Sequence, residues 1–272
     1  MTYNGFTEAG SNEVLAPTHM RRFFNYYTTL LVSNPSATQD AEVTITYTPD
    51  ENYSNIPEDG SSIGQVTVTH TIAPQSTLLR YDGPGASDGQ SDLDDHDETG
   101  HAYNRFFGAA KITSDIPVLV QVNVEAAATS AGQAGSFNGI SVSDASTDLV
   151  APVILADFYG YYTSLVVQNA TDTAGSCDIT YTSDDTYSAV KNHSETYTHP
   201  LPASGSFMVY EGRADGQEIG DINSDVTWRA GGNQEFIGSA VISCDVNVVA
   251  FVNEETNRNN KDTMYTMNTF KK

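Results

Sequence analysis

The sequence contains two copies of one pattern, and this duplication constrains the fold more than any other feature. The segment YYTTLLVSN at 26–34 returns as YYTSLVVQN at 161–169, with six of nine positions identical. Further matches are AP at 16–17 and 151–152, ITYTPDENYS at 45–54 and ITYTSDDTYS at 179–188, and GAAKITSDIPVLVQVN at 108–123 and GSAVISCDVNVVAFVN at 238–253. A repeat in fixed order marks a structural unit that occurs more than once. We predict homologous domains at 1–136 and 137–266, followed by a remnant at 267–272.

The repeated blocks have the residue pattern of β-strands. Apolar residues recur at every second position in two stretches: Val43, Ile45 and Tyr47, and Val118, Val120, Val122 and Val124. Period 2 places such residues on one face of a strand, and clusters of Gly, Pro, Asn and Asp separate the blocks. We therefore predict an all-β chain of two tandem β-sandwich domains, Ig-like or jelly-roll-like, that arose by internal duplication.

The ordered blocks resemble a known class of protein. The order of NG-aromatic, AP, YYTxLxVxN, xTxTYT and GSAxITSxxPVxxxVN is similar to that in the tandem β-sandwich modules of secreted bacterial surface and fibre proteins. This resemblance covers nearly all of both repeats. It implies an extracellular, structural or adhesive role without catalytic residues.

Charge narrows the range of partners. Twelve Lys and Arg against 35 Asp and Glu give a net charge of −23, which argues against binding to nucleic acid. No run of about 20 apolar residues is present, so we predict no membrane span. The first ten residues lack the basic and apolar regions of a secretory signal, so we expect either a signal removed before Met1 or export without one.

A short element, which we call the junction segment, occurs three times. YNGF at 3–6 matches FNGI at 137–140, and MNTF stands at 267–270. Two domains thus carry three copies, and a surplus strand can pair with another subunit by strand addition. The alternative is that the terminal copies fold back on their own domains or fray. The candidate polymer contacts are Tyr3, Asn4, Phe6, Tyr265, Asn268 and Phe270.

The acidic stretch at 88–101 is a candidate Ca²⁺ site, with Asp92, Asp94, Asp95 and Asp97 as oxygen ligands. It lacks the glycine and terminal glutamate of an EF-hand, so a solvated charged loop is the alternative.

Cys177 and Cys244 both lie in the second repeat, where the first has Val43 and Ser114. We predict a disulfide between strands that face each other across the core, with two buried free thiols as the alternative. Asn52, Asn169 and Asn192 begin glycosylation sequons and are expected at the surface.

No catalytic motif is present, so we predict that the chain is not an enzyme. His70 and His199 are equivalent, and each is interpreted as a strand residue with a satisfied ring. Asp50 and Asp184 follow strands, where a carboxylate accepts hydrogen bonds from the turn.

The predicted function is that of a structural subunit of an extracellular filament, sheath or surface layer, which assembles head to tail with copies of itself by strand donation. One alternative is a monomeric adhesion or carbohydrate-binding module with an exposed aromatic platform. The candidate platform residues are Tyr103, Phe106, Phe107 and Trp228. A second alternative is a virion coat protein.

Overall fold

The computed structural model describes residues 10–50, 52–54, 64–83, 90–93, 105–126, 134–214, 217–218, 220–228, 235–256 and 264–272. Strands account for 67% of it and helices for 5%, so the chain is all-β. It divides after Asp144 into two compact units, each with its own eight-stranded antiparallel sheet among the described residues.

The strands of the first unit are β1 (Ser11–Arg21), β2 (Tyr26–Ser33), β3 (Ala41–Pro49), β4 (Val66–Ile72), β5 (Thr77–Tyr81), β6 (Phe106–Ala126), β7 (Ala134–Asn138) and β8 (Ile140–Ser141). The second unit contains β9 (Ser146–Ala156), β10 (Tyr161–Asn169), β11 (Gly175–Ser183), β12 (Ser194–Leu201), β13 (Ser206–Tyr210), β16 (Phe236–Thr256), β17 (Tyr265–Asn268) and β18 (Phe270–Lys271). A small hairpin of β14 (Arg213–Ala214) and β15 (Gln217–Glu218) and the short helix α1 (Asp221–Ser224) lie between β13 and β16.

The long strand β6 belongs to both layers of the first unit. Its first part pairs with β1 and β3, and its residues from Leu119 onward pair with β2 and β7. The strand orders are therefore β4-β3-β6-β1-β8 in one layer and β5-β2-β6-β7 in the other. In the second unit β16 has the same role, pairing with β9 and β11 and then with β10 and β17.

The predicted inward faces are confirmed. Val43, Ile45 and Tyr47 are each 0% exposed, and the alternating valines of β6 from Val118 to Val124 are at most 3% exposed. Each fully buried apolar side chain of this size contributes about 1.5–3 kcal/mol relative to its exposure.

The junction segment is the last strand of each unit. The copy at 137–140 lies in β7 and β8, which pair with β6 and β1. The copy at 267–270 lies in β17 and β18, which pair with β16 and β9. Residues 137–144 thus belong to the first unit, and the predicted boundary after residue 136 was wrong. The C-terminal segment is likewise an integral strand and not a remnant outside the second domain.

The asparagine that ends YYTxLxVxN closes the turn after the strand. Asn169 is 1% exposed, and its side-chain amide donates to the carbonyls of Thr173 and Pro202 at 2.7 and 3.1 Å. The prediction that Asn169 is a surface glycosylation site was therefore wrong, because its side chain is used inside the turn. Asn52 and Asn192 are exposed, and their modification stays a prediction.

A disulfide joins Cys177 and Cys244, whose Cα atoms lie 4.1 Å apart. The two residues are directly opposite each other on the neighbouring strands β11 and β16. The pairing was predicted, but the bond links neighbours in one layer and does not cross the core.

Replacing both cysteines by their first-unit counterparts, as Cys177→Val with Cys244→Ser, should destabilise the second unit by about 4 kcal/mol on the chain-entropy account of loop closure. Trp228 is the only tryptophan and is 2% exposed in the second unit, so its fluorescence during denaturation measures this loss. Equal midpoints for the variant and the oxidised parent would contradict the prediction.

Candidate functional site

Each unit contains the same group of one buried tyrosine, one aspartate and one partly buried histidine. In the first unit the hydroxyl of Tyr47 on β3 donates to Asp92 Oδ2 at 2.9 Å. His70 Nε2, on the neighbouring strand β4, lies 3.1 Å from Asp92 Oδ1. Asp92 itself follows β5, so these contacts fasten the chain after β5 to the sheet.

The second unit repeats this group with the same residue types. The hydroxyl of Tyr181 donates to Asp221 Oδ2 at 3.0 Å, and His199 Nε2 lies 2.8 Å from the same oxygen. Burial, followed by the charges of neighbouring carboxylates, raises the pKa of Tyr181 well above its usual range. The tyrosine is thus a permanent hydrogen-bond donor, and the predicted satisfied rings of His70 and His199 are confirmed.

The first unit adds two arginines and a second histidine to its group. Arg80 Nη2 lies 2.5 Å from Asp92 Oδ1. Asp82 is paired with His19 Nε2 at 2.5 Å and with Arg21 Nη1 at 3.7 Å, and it also accepts the hydroxyl of Ser91. The carboxylates of Asp82 and Asp92 are therefore compensated by cationic or hydrogen-bonded partners, as buried charges require.

The second unit has apolar residues in place of His19, Arg21 and Arg80. Ile154 takes the place of His19, Ala156 that of Arg21 and Val209 that of Arg80, and all three apolar residues are buried. The repeat has thus kept its sheet while exchanging a buried ionic network for an apolar interior.

This network corrects the prediction of a Ca²⁺ site at Asp92. Asp92 is 1% exposed, and both of its oxygens are used by protein donors, including the guanidinium of Arg80. An arginine bound to the same carboxylate disfavours a divalent cation there. Asp94, Asp95 and Asp97 lie outside the described residues, and their Ca²⁺ binding stays a prediction.

Glu211 of the second unit stands where the first unit has Asp82, and its carboxyl group caps the N-terminus of α1. Its carboxyl oxygens accept the backbone N–H groups of Asp221, Ile222 and Asn223 at 2.9 to 3.0 Å. Gly220, with φ of +103°, allows this approach, because an added Cβ would lie 2.5 Å from Glu211 Oε2. Burial outweighs the three donors and raises the pKa of Glu211 to about 8.

The predicted aromatic platform is wrong for the three residues that the structure describes. Phe106 and Phe107 are 0% exposed and Trp228 is 2% exposed. The Trp228 ring packs 5.0 Å from that of Phe236, and its Nε1 donates to Tyr197. These rings form core and cannot stack on a ligand, while Tyr103 lies outside the described residues.

The repeated aspartates after β3 and β11 hold turns, as predicted. Asp50 Oδ1 accepts the N–H of Asn52 at 2.8 Å. Asp184 Oδ1 accepts the N–H groups of Thr186 and Tyr187 at 2.7 Å, which lowers the pKa of Asp184. Among the described residues, no cluster of three or more His, Cys, Asp or Glu could hold a metal ion.

The two described copies of the junction segment are held differently. In the first unit the Gly139 N–H donates to Val120 O at 2.8 Å, and an added Cβ would lie 2.5 Å from the Val14 side chain. In the second unit Thr269 takes the place of that glycine; its backbone N lies 3.4 Å from Ala250 O, and its side-chain hydroxyl donates to the same oxygen at 2.9 Å. The C-terminal copy therefore has the longer backbone hydrogen bond at this position.

The side chains of the C-terminal copy are also more exposed. Phe137 is 6% exposed while its equivalent Met267 is half-buried, and Ile140 is half-buried while its equivalent Phe270 is 63% exposed. Tyr265, two residues before the segment, is 59% exposed. Asn268 is exposed and pairs with Phe251 of β16. Three of the predicted contact residues thus lie on edge strands of their own unit, while Tyr3, Asn4 and Phe6 lie outside the described residues.

Comparison with known proteins gives no family. No protein-family model and no curated protein matches the sequence. One solved structure, described as that of Thermotoga maritima 1070, is 15% identical, and the match covers 49% of this chain and 97% of that chain with a TM-score of 0.31. A likeness at this score carries no argument about fold or function. The described part of the chain contains no helix long and apolar enough to cross a membrane.

We expect Asp92→Asn to destabilise the first unit by about 3–5 kcal/mol, because Arg80 then keeps a buried charge without its carboxylate. The matched change in the second unit, Asp221→Asn, breaks no contact with an arginine among the described side chains and should cost only about 1–3 kcal/mol. Calorimetry of the two variants measures this difference. Equal losses would show that the ion pair adds nothing to the shared hydrogen bonds.

The stability of the second unit should fall as pH rises from about 4.5 to about 8. Folded Glu211 keeps its proton up to about pH 8, whereas an ordinary glutamate loses it near 4.5. In this range the unfolded state binds fewer protons, so each pH unit costs up to about 1.4 kcal/mol.

The control for this pH dependence is Glu211→Gln, followed by Trp228 fluorescence. Burial also raises the pKa of Glu254, so the difference between parent and variant isolates the contribution of Glu211. Identical slopes in the two proteins would contradict the assignment.

Proposed function

We propose that this chain is a structural subunit of an extracellular filament, sheath or surface layer, and that its copies join head to tail by β-strand donation. One observation carries the proposal. The junction segment is the last strand of both units, and the copies at 137–140 and 267–270 fill those two places. The described parts of the chain offer no further place of this kind for the third copy, at 3–6, which supports a role between molecules.

The acceptor is the place of the C-terminal copy in the second unit of a neighbour. That copy lies at the edge of both layers, with four residues in β17 and two in β18. It carries Thr269 where the first unit has Gly139, whereas the N-terminal copy keeps the glycine as Gly5. The donor thus carries glycine at the position where, in the first unit, a Cβ would lie 2.5 Å from the Val14 side chain. A strand at the edge of a sheet can be displaced without removing the centre of the sheet.

A contact between residues 3–6 of one copy and the second unit of the next does not close on itself. Such heterologous contacts generate filaments. The charge of −23 opposes close packing, so we expect high salt or Ca²⁺ to favour assembly by screening it. The disulfide supports an oxidising, extracellular location.

The sandwich is proposed to be of the Ig-like or jelly-roll-like type, with rigid units as its building blocks. Support comes from the antiparallel pairing within each unit and from crossovers such as the pairing of β1 with β6. No residue has a catalytic role in this proposal.

Deleting residues 1–8 should abolish long filaments while both units stay folded. Gly5→Thr should weaken filament formation, because the backbone hydrogen bond at this position is 3.4 Å where the residue is Thr269 and 2.8 Å where it is Gly139. Negative-stain electron microscopy in high salt and millimolar Ca²⁺ compares both variants with the parent.

A peptide of the first nine residues, MTYNGFTEA, provides a second readout. It should shorten the filaments of the parent chain by occupying the acceptor, whereas the matched peptide with Thr at position 5 should act more weakly. Undiminished filaments from the deletion variant would overturn strand donation. Dispersed particles from the parent in every buffer would overturn self-assembly altogether.

A further inference from the structure

The hairpin between the first two strands has an unusual turn in both units. In the first unit Phe23 and Tyr26 pair across it, and the two loop residues Phe24 and Asn25 have φ of 47° and 65°. Positive φ at both loop positions defines a type I′ turn, which normally takes Asn, Asp or Gly. An aromatic residue therefore stands at a position that disfavours it.

The second unit has the same turn with the same exception. Phe158 pairs with Tyr161, and the loop residues Tyr159 and Gly160 have φ of 50° and 76°. The second loop position is Asn in one unit and Gly in the other, as the turn prefers, while the first is aromatic in both. Both repeats thus have an aromatic residue at this strained position, although the residue that follows it differs between them.

These two rings gain little from burial. Phe24 is 59% exposed and Tyr159 is 56% exposed. Each packs edge-on against the preceding phenylalanine, with ring centroids 4.8 Å apart in the first unit and 4.7 Å in the second. The ring is held in place at the surface, at a conformational cost that the fold itself does not require. Backbone strain of this kind is typical of functional positions.

Two charged positions beside the turns differ in sign between the units, whereas Glu125 and Glu255, paired opposite Tyr27 and Tyr162, are acidic in both. The exposed Arg22 precedes the turn of the first unit, and Asp157 stands at the same place in the second. A second position shows the same exchange, with Arg105 in the first unit and Glu235 in the second. Arg105 lies at this end of its unit, because its Nε donates to Tyr53 O and the Tyr53 ring packs 5.5 Å from Phe23.

We propose that the first-unit tip, residues 22–25, binds the second-unit tip, residues 157–160, of another copy of this chain. The two aromatic rings are the anchors, since aromatic side chains dominate protein interfaces. The opposite charges select unlike tips and disfavour like ones. The inference rests on the proposed self-assembly and adds a second contact to it.

This contact is separate from strand donation. The tip lies at the far end of β1 from the N-terminal segment, and the 11 residues of β1 span roughly 35 Å at the usual rise per residue. The two contacts therefore involve chain segments that flank opposite ends of β1. Strand donation and the tip contact are thus two different ways of joining copies of the chain.

The test uses the variant that lacks residues 1–8, in which strand donation is absent. Sedimentation velocity should show concentration-dependent association of this variant, and Phe24→Asn or Tyr159→Asn should raise the concentration needed by about tenfold or more. The same substitutions should leave thermal stability equal or higher, because Asn suits the turn. A ring with a purely structural role would instead lower stability when it is removed.

Charge exchange gives the matched control. Arg22→Asp and Asp157→Arg should each weaken association, and a mixture of the two single variants should restore it through the complementary tips. Association unchanged by all tip variants would overturn the tip contact. The tip contact is tested in a variant that lacks residues 1–8, so its failure does not contradict strand donation. Strand donation is tested separately, by filament formation of the full chain.

Discussion

Each unit depends on backbone pairing along one strand of 21 residues, β6 or β16. Four other strands of the same unit pair with it, two on each layer, so the two layers share one continuous hydrogen-bonded ladder. Its inward-facing side chains fill the core both before and after the point where the strand passes from one layer to the other. The last strand of each unit, by contrast, occupies only an edge of this arrangement. Losing that strand leaves the centre intact, and this asymmetry makes exchange between copies physically reasonable.

Duplication has kept the sheet and changed what lies inside it. Both units retain the tyrosine, aspartate and histidine that fasten the chain after the fifth strand to the sheet. The first adds charged partners such as Arg80, while the second has apolar residues, a disulfide and Glu211 at the start of a short helix. Breaking a buried ion pair by removing one partner is costly, whereas an apolar interior lacks that sensitivity. The two units therefore respond differently to equivalent substitutions and to pH.

The sequence predicted much of the fold, because period 2 and the repeat depend on local pattern alone. The inward faces of β3 and β6, the turn role of Asp184 and the pairing of Cys177 with Cys244 all follow from such patterns. Other features depend on distant partners. Asp92 stands in an acidic stretch that resembles a solvated loop, yet Arg80 on β5 and Tyr47 on β3 surround it. Likewise, no local signal shows that Asn169 is used in its turn or that Phe24 has positive φ.

The central claim, that the N-terminal segment completes the second unit of a neighbouring copy, is tested most directly by photo-cross-linking. A photoreactive phenylalanine analogue at position 3 stands where Met267 stands in the C-terminal copy, and Met267 pairs with Val252 of β16. Assembly from a mixture of ¹⁵N-labelled and unlabelled chains distinguishes links between copies from links within one. The account predicts mixed-isotope links to β16 around Val252. Links confined to single-isotope pairs, or to the first unit of the same chain, would contradict it.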